Sequence, residues 1–524
     1  MPAKIEPIPA FVEDLLKLLT LTCSLMLSGF FTCAACAQIA LPKVLSSHMV
    51  VQRDLPVHLW GMGTPRESVQ VNFRGEARST TVGPLGQWSV YLSPGVAGGP
   101  FELSITATPA SASGTSGQEA GQSITLTDVL VGDVWVAGGQ SNMEFLMQQA
   151  ATADQDLPHA DISSIRLLVV NKKASEYPLS DVETDGWAAS TPDTARKFSA
   201  VAWYFAREIQ QREHIPVGVI DSTWGGTVAE AWTRLAALGA DAALAPVFAS
   251  WGKMTEHEED ALLAGKQEER LRDEAKAAGQ PPPQFPWHPQ LLSWGPGMLW
   301  NGMIAPLTPL GIRGVIWYQG ESNSALARAP LYKRVFSTLI EGWRHAWGIG
   351  DFPFLFVQIS NYKSTGAEDW AELREQQLKT LSVANTAMAV TIDIGNPENV
   401  HPTDKLDVGH RLALAARALS YGEDISYSGP AFRQATPEGK AIRVWFSHHA
   451  KGLAARGSAL TGFEVAGVDG RFFPATATIE GNTVLAASDA VAEPEFVRYG
   501  WANSPQCNLF NGEGLPASPF TSAE

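Results

Sequence analysis

The sequence predicts an α/β protein whose central part is a doubly wound parallel sheet, flanked by two β-sandwich-like domains. Between residues 129 and 421, short runs of buried-strand character alternate with helical stretches, the pattern of parallel strands joined by crossover helices. Residues 38–128 and 422–524 show instead short strands separated by Gly, Pro and other turn residues. The chain has 524 residues, which is enough for these three parts.

The individual elements follow from the periodicity of apolar residues. In the N-terminal domain, strands are predicted at residues 57–60, 69–73 and 88–92. An Ala-, Ser- and Gly-rich stretch, residues 109–122, predicts a flexible loop before a strand around Ile124. In the central domain, strands are predicted at residues 129–136, 217–220, 314–318, 354–358 and 388–392. Helices are predicted at residues 198–211 and 228–238, and another is expected to start near Thr403.

A charged insertion, residues 252–290, interrupts the central domain. Two pairs of opposite charge lie at i,i+4 spacing, Glu268 with Arg272 and Arg270 with Glu274, and three prolines follow at residues 281–283. This pattern is typical of a solvated helix and a rigid linker.

The N-terminus resembles a secretory signal peptide, residues 1–37. Residues 15–31 are nearly all apolar or small, and the small-x-small pattern of residues 35–37 is typical of a signal peptidase site. Export to the periplasm or the extracellular space is therefore predicted, with lipid attachment at Cys36 as an alternative. Cleavage leaves Cys507 as the one cysteine of the mature chain, so neither a disulfide framework nor a Cys-based zinc site is expected.

The charge balance excludes two classes of partner. Lys and Arg number 38 against 54 Asp and Glu, which gives a formal net charge of −16. Nucleic acids and anionic membrane surfaces both require clustered basic residues, and no such cluster is present in the sequence. Nothing in the sequence predicts the oligomeric state.

Polar segments follow four of the five predicted central strands. They are residues 138–143, 221–227, 319–323 and 393–402. Ligands of an open parallel sheet bind beyond the carboxyl ends of its strands, so these segments are expected to meet at one site.

Acyl transfer by a serine is the chemistry that these segments predict. Ser141 follows two glycines at a strand-to-helix turn, which exposes its hydroxyl as a nucleophile. His401 lies on a loop before a helix, from which it can accept the serine proton. Glu398, three residues earlier, is a candidate for orienting the imidazole.

Donors for the tetrahedral oxyanion are also present. Backbone N–H groups of Ser141, Gly225 and Gly226 are candidates, together with a side-chain amide from Asn323 or Gln319. H-E-x-x-H, EF-hand and phosphate-loop patterns are all absent from the sequence, so no metal or cofactor is predicted.

At these positions the sequence resembles the sialate O-acetylesterase family of SGNH hydrolases. The resemblance is carried by residues 139–144, 222–232, 317–323 and 401–413, and it extends to residues 498–501 and 508–519. It implies an SGNH-hydrolase, flavodoxin-like sheet and metal-independent removal of acetyl groups from sugar hydroxyls, with Ser141 as nucleophile and His401 as general base. The acid of an SGNH triad is usually an Asp three residues before the His. Glu398 occupies that place here, and Asp393 or a Ser-His dyad are the alternatives.

The substrate side is less determined by the sequence. Trp224, Trp317 and the two β-domains are candidates for surfaces on which sugars stack. Acetylated xylan or another polysaccharide is an alternative to sialate. A non-catalytic carbohydrate-binding protein is suggested by 17 Trp and two flanking β-domains, whereas the lack of an apolar lid disfavours a lipase.

Overall fold

The computed structural model describes residues 39–109, 122–285, 288–364, 366–457 and 459–523. The predicted signal peptide and most of the predicted flexible loop lie outside the described residues. Among the helices in these ranges, none is both long enough and apolar enough to cross a membrane.

The N-terminal part consists of the strands β1 (Val50–Gln52), β2 (Val57–Met62), β3 (Ser68–Phe73), β4 (Glu76–Thr81), β5 (Gln87–Leu92) and β6 (Gly98–Thr108). β2 pairs antiparallel with β5, and β3 lies between β4 and β6, antiparallel to both. The short β1 pairs instead parallel with the strand Gln122–Gly139. Apolar and polar residues alternate in β3 and β5, and the apolar ones are buried, so each strand places one face on the core.

The central sheet consists of the strands β7 (Gln122–Gly139), β8 (Ile162–Val169), β9 (Ala188–Ser190), β10 (Val217–Thr223), β11 (Gly314–Tyr318), β12 (Phe354–Gln358) and β13 (Thr386–Val390). Their order in the sheet is β13-β12-β11-β7-β10-β8-β9, and every neighbouring pair except β8 with β9 is parallel. All five strands predicted for this region are present, whereas β8 and β9 had not been predicted. The protein is therefore a mixed α/β protein with a parallel sheet.

Strand β7 belongs to two sheet regions. Its first half pairs antiparallel with β6, and its second half pairs parallel with β10 and β11. It runs without a break past Asp128, where one domain was expected to end and the next to begin. One cluster of buried apolar side chains extends from Ile39 to Ala416. The N-terminal strands therefore share a core with the parallel sheet.

Helices fill the connections between the strands. They are α1 (Ser141–Glu144), α2 (Ala153–Asp156), α3 (Pro192–Arg196), α4 (Ala200–Glu213), α5 (Leu235–Gly239), α6 (Ala245–Thr255), α7 (Glu258–Ala277), α8 (Leu291–Trp294), α9 (Tyr332–Trp347), α10 (Trp370–Lys379) and α11 (Leu406–Tyr421). Helices α4 and α11 pack closely, because a Cβ on Gly409 would lie 2.6 Å from the Cβ of Tyr204. Ser199 caps α4 by accepting a hydrogen bond from the Ala202 N–H at 3.1 Å.

The helix predicted over residues 228–238 is wrong. A short 3-10 turn, Ala229–Trp232, is followed by an extended Arg234 with φ −55° and ψ 126°, and α5 begins only after it. The Thr233 hydroxyl donates to the Ala229 carbonyl at 2.9 Å, which stabilises the turn instead of a continuous helix.

The C-terminal part is β-rich and has an apolar cluster of its own that includes Ile442 and Phe520. Its strands are β14 (Ala431–Glu438), β15 (Ala441–Ser447), β16 (Leu453–Ala455), β17 (Phe463–Ala466), β18 (Phe472–Pro474), β19 (Thr476–Glu480), β20 (Thr483–Ala487), β21 (Phe496–Tyr499), β22 (Leu509–Asn511) and β23 (Phe520–Thr521). The buried Arg374 guanidinium on α10 donates to the carbonyls of Ala502 and Asn503 at 2.9 and 2.7 Å, which joins this part to the central domain.

Candidate active site

The candidate nucleophile follows directly on the central strand of the sheet. β7 ends at Gly139, which has φ +132°, and α1 begins at Ser141. A Cβ on Gly139 would lie 2.2 Å from the Tyr318 carbonyl oxygen, so only glycine fits between β7 and β11. The Gln140 N–H donates to that same carbonyl at 3.0 Å. The turn is thus fixed and presents Ser141 at the carboxyl ends of the strands.

The structure brings Ser141 and His401 together. The imidazole Nε2 lies 2.8 Å from the serine Oγ, although 260 residues separate the two in sequence. His401 lies on the loop between β13 and α11, and its backbone N–H donates a hydrogen bond to Asn399 Oδ1 at 2.9 Å. Burial lowers the pKa of His401, the charge of Lys405 lowers it further, and Glu144 opposes both effects. A neutral imidazole at hydrogen-bond distance can accept the serine proton.

Neither candidate acid contacts the imidazole. Glu398 lies in a turn, its side chain is 73% exposed, and it accepts a hydrogen bond from Lys363 Nζ at 2.6 Å. Asp393 instead binds the Arg411 guanidinium with both oxygens, at 2.6 and 2.8 Å. The predicted Ser-His-Glu triad is therefore corrected to a Ser141–His401 pair.

Both glycines predicted as oxyanion donors line the cavity beside Ser141. A Cβ on Gly225 would lie 3.2 Å from the Cβ of Ser141, so the two backbones are in close contact. The Gly225 N–H donates to Glu144 Oε2 at 2.5 Å. The N–H groups of Ser141 and Gly226, by contrast, have no hydrogen-bond partner in the described part of the chain. These two backbone N–H groups are therefore free to bind an oxyanion.

The two predicted side-chain amides are already engaged within the protein. Asn323 Nδ2 donates to Glu230 Oε2 at 2.7 Å, and Gln319 Nε2 donates to Asn323 Oδ1 at 2.7 Å. Both side chains are buried, and neither is among the residues lining the cavity at Ser141. The structure thus does not leave either amide free for an oxyanion.

The side-chain amide of Gln140 is a candidate hydrogen-bond donor to the oxyanion that the sequence analysis missed. Its Oε1 accepts from the Ser322 N–H and from Gln319 Nε2, both at 3.2 Å. Among the residues that the structure describes, none accepts a hydrogen bond from its Nε2, and Gln140 lines the cavity. Its position immediately before the nucleophile was the available signal.

A cavity of about 730 Å³ opens above Ser141 and His401. Its aromatic lining consists of Trp224, Phe285, Trp294, Tyr362 and Trp370. Trp224 is thus at the site, as expected, but Trp317 is completely buried in the core and offers no surface to a ligand.

The charged insertion contains a helix without buried residues, α7, as predicted, and it also forms one wall of this cavity, which was not predicted. Glu268 and Arg272 on α7 line the cavity together with Phe285 and His288. Glu268 accepts from Arg272 at 3.2 Å and from His288 at 2.9 Å, and the Arg272 guanidinium lies 5.1 Å from the centre of the Phe285 ring. These contacts hold α7, Phe285 and His288 together in this wall.

Similarity to known proteins agrees with this site. A family model described as carbohydrate esterase, sialic acid-specific acetylesterase, matches residues 290–418. A sialate O-acetylesterase of Rattus norvegicus is 30% identical over 91% of this chain and 93% of its own, and one of Mus musculus is 32% identical over 74% of each. A solved carbohydrate acetylesterase of Xanthomonas citri is 38% identical, covers 92% of this chain and 99% of its own, and has a TM-score of 0.78.

The fold, the Ser-His pair and these relatives define a carboxylic-ester hydrolase of the carbohydrate esterase class. More particularly, the chain belongs to the sialate O-acetylesterase family.

Proposed function

We propose that the protein removes O-acetyl groups from sugars through an acetyl-serine intermediate, with Ser141 as nucleophile and His401 as general base. The observation that carries this proposal is the 2.8 Å contact between Ser141 Oγ and His401 Nε2 at the floor of the cavity. Membership in the family supports the class of reaction, and the contact supports the assignment of Ser141 and His401.

The mechanism follows from the geometry. His401 Nε2 accepts the hydroxyl proton as Ser141 Oγ attacks the acetyl carbonyl carbon. The N–H groups of Ser141 and Gly226 and the Gln140 amide stabilise the oxyanion. The imidazolium then donates its proton to the sugar oxygen, which leaves as the alcohol. Water, deprotonated by the same imidazole, attacks the acetyl-serine and releases acetate and the free enzyme.

We propose an acetylated sialic acid as the substrate, because the curated relatives along most of this chain are sialate O-acetylesterases. Acetylated xylan or another polysaccharide is the second candidate. It is supported by the 38% identity to a solved carbohydrate acetylesterase and by the aromatic side chains that line the cavity here, on which sugar rings can stack. We also propose that residues 1–37 direct export.

The test is acetate release by the mature protein and by Ser141→Ala. Three substrates are compared in the presence of a chelator: para-nitrophenyl acetate, 9-O-acetylated sialic acid and acetylated xylan. Loss of activity in the variant supports the proposed nucleophile, and the preferred sugar identifies the substrate. Equal rates in variant and parent would refute the assignment. Sugar binding without hydrolysis in either would indicate a carbohydrate-binding protein instead.

A further inference from the structure

Among the residues that the structure describes, no carboxylate binds the His401 imidazole, so another group must hold it in place. Asn142, directly after the nucleophile, is almost completely buried and makes three contacts with different parts of the site. Its Nδ2 donates to the Val400 carbonyl at 3.0 Å and to Glu321 Oε1 at 2.5 Å. Its Oδ1 accepts from Lys405 Nζ at 2.5 Å.

The chemistry of the partners fixes the orientation of the Asn142 amide. A lysine ammonium can only donate a hydrogen bond, and a backbone carbonyl can only accept one. The Asn142 oxygen must therefore face Lys405, and its nitrogen must face Val400. This arrangement joins the nucleophile turn to the residue immediately before His401.

Lys405 adds a buried charge to the same cluster. Its side chain is 1% exposed, and its Nζ lies 4.8 Å from the centre of the Phe145 ring and 5.5 Å from that of Tyr318. Both aromatic faces favour a cation at this place. The residue begins the turn that leads into α11, four positions after His401.

We propose that Asn142, held by Lys405 and Glu321, positions His401 through the Val400 carbonyl. Asn142 thereby supplies the orientation that a triad carboxylate would otherwise give. The buried Lys405 charge in the same cluster disfavours the imidazolium, which a carboxylate would favour. This proposal rests on the proposed roles of Ser141 and His401.

The charges around His401 come from several elements. Glu144 on α1, itself paired with Lys172 at 2.5 Å, favours the protonated imidazole, and Lys405 disfavours it. Burial lowers the pKa of Lys405 to about 7, while Glu321 and Asp404 oppose that change. Lys405 is therefore mainly charged in the acidic range in which His401 gains a proton.

The test uses para-nitrophenyl acetate, whose small leaving group keeps sugar contacts out of the measurement. Asn142→Asp keeps the shape of the side chain but loses both donated hydrogen bonds. We expect kcat to fall on the order of 10²-fold with KM unchanged, since small misplacements of a catalytic group cost that much. Lys405→Met should shift the acid limb of the kcat/KM profile to higher pH, because removing a positive charge raises the pKa of the imidazole.

Two controls separate this role from a structural one. Lys405→Arg keeps the charge and should keep the acid limb of the parent. Lys363→Met removes an exposed lysine that pairs with Glu398, a residue on the loop that carries His401. This variant should leave both kcat and the acid limb of the kcat/KM profile unchanged. Thermal melting identifies a variant that fails to fold. If Asn142→Asp does not fold, the comparison of the acid limbs of Lys405→Met and Lys405→Arg still tests the proposal.

Parental kcat in a folded Asn142→Asp, or a parental acid limb in Lys405→Met, would overturn the proposal. An inactive parent enzyme would instead refute the proposed function, on which this inference depends.

Discussion

Replacing Glu398 by Gln removes a negative charge three residues before His401 and leaves the side chain almost unchanged in shape. In the structure this carboxylate faces solvent and pairs with Lys363, whose side chain is 65% exposed against 73% for Glu398. We expect Glu398→Gln to retain kcat/KM within about twofold of the parent, because nothing in the site loses a contact.

The magnitudes of the two possible roles differ widely. An exposed ion pair of this kind contributes about 0–1 kcal/mol to stability. The loss of a carboxylate that orients a catalytic imidazole costs roughly 10⁴ in kcat, which corresponds to about 5.5 kcal/mol of transition-state stabilisation. The rate of Glu398→Gln therefore distinguishes the two roles.

The assay is the steady-state rate on para-nitrophenyl acetate, with His401→Ala as the inactive reference and thermal melting as the folding control. A rate for Glu398→Gln that is close to that of His401→Ala, with normal folding, would show that Glu398 orients the imidazole in the working enzyme. The Ser141–His401 pair would then have to be replaced by a triad.

Further predictions concern the oxyanion, the pH profile and the sugar. Gln140→Ala should lower kcat on the order of 10²–10³-fold without changing the melting temperature greatly, the usual cost of one oxyanion donor, and an unchanged kcat would exclude the amide. Because burial and Lys405 lower the pKa of His401 from its ordinary value of 6.5, activity should reach half its plateau below pH 6.5; a midpoint above that pH contradicts the geometry. Phe285→Ala should raise KM for the sugar ester but not for para-nitrophenyl acetate, and equal effects on both would exclude the insertion from sugar binding.

The fold was largely predictable because apolar residues recur with different periods in strands and in helices. The runs that became β7, β10, β11, β12 and β13 are continuous and apolar, as strands buried on both faces are. β8 was missed because Ser163, Ser164 and Arg166 interrupt its apolar character. The sequence pattern alone could not show whether a domain ends at residue 128. That residue lies within an 18-residue strand shared by two sheet regions, and such a strand contains no Gly-, Pro- or Ser-rich linker that would mark a boundary.

The candidate site was predictable where residues follow strand ends. Ser141, Gly225 and Gly226 all line one cavity with His401, as parallel register requires. The direction of individual side chains was not predictable. Glu398 faces solvent because it sits in a turn, whereas Asn323 and Gln319 bond to each other, and neither fact has a signature in spacing. The wall formed by the insertion depends on tertiary contacts such as that of His288 with Glu268, 20 residues apart.

The most direct test of the central claim is to capture the acyl-enzyme. The protein would be mixed with para-nitrophenyl acetate, quenched in acid and digested, and the peptide that contains Ser141 would be examined by mass spectrometry. The mechanism predicts an increase equal to one acetyl group less one hydrogen, located on Ser141 and absent from Ser141→Ala. Full turnover with no acetylated Ser141 peptide, or with the acetyl group on another residue, would contradict the account.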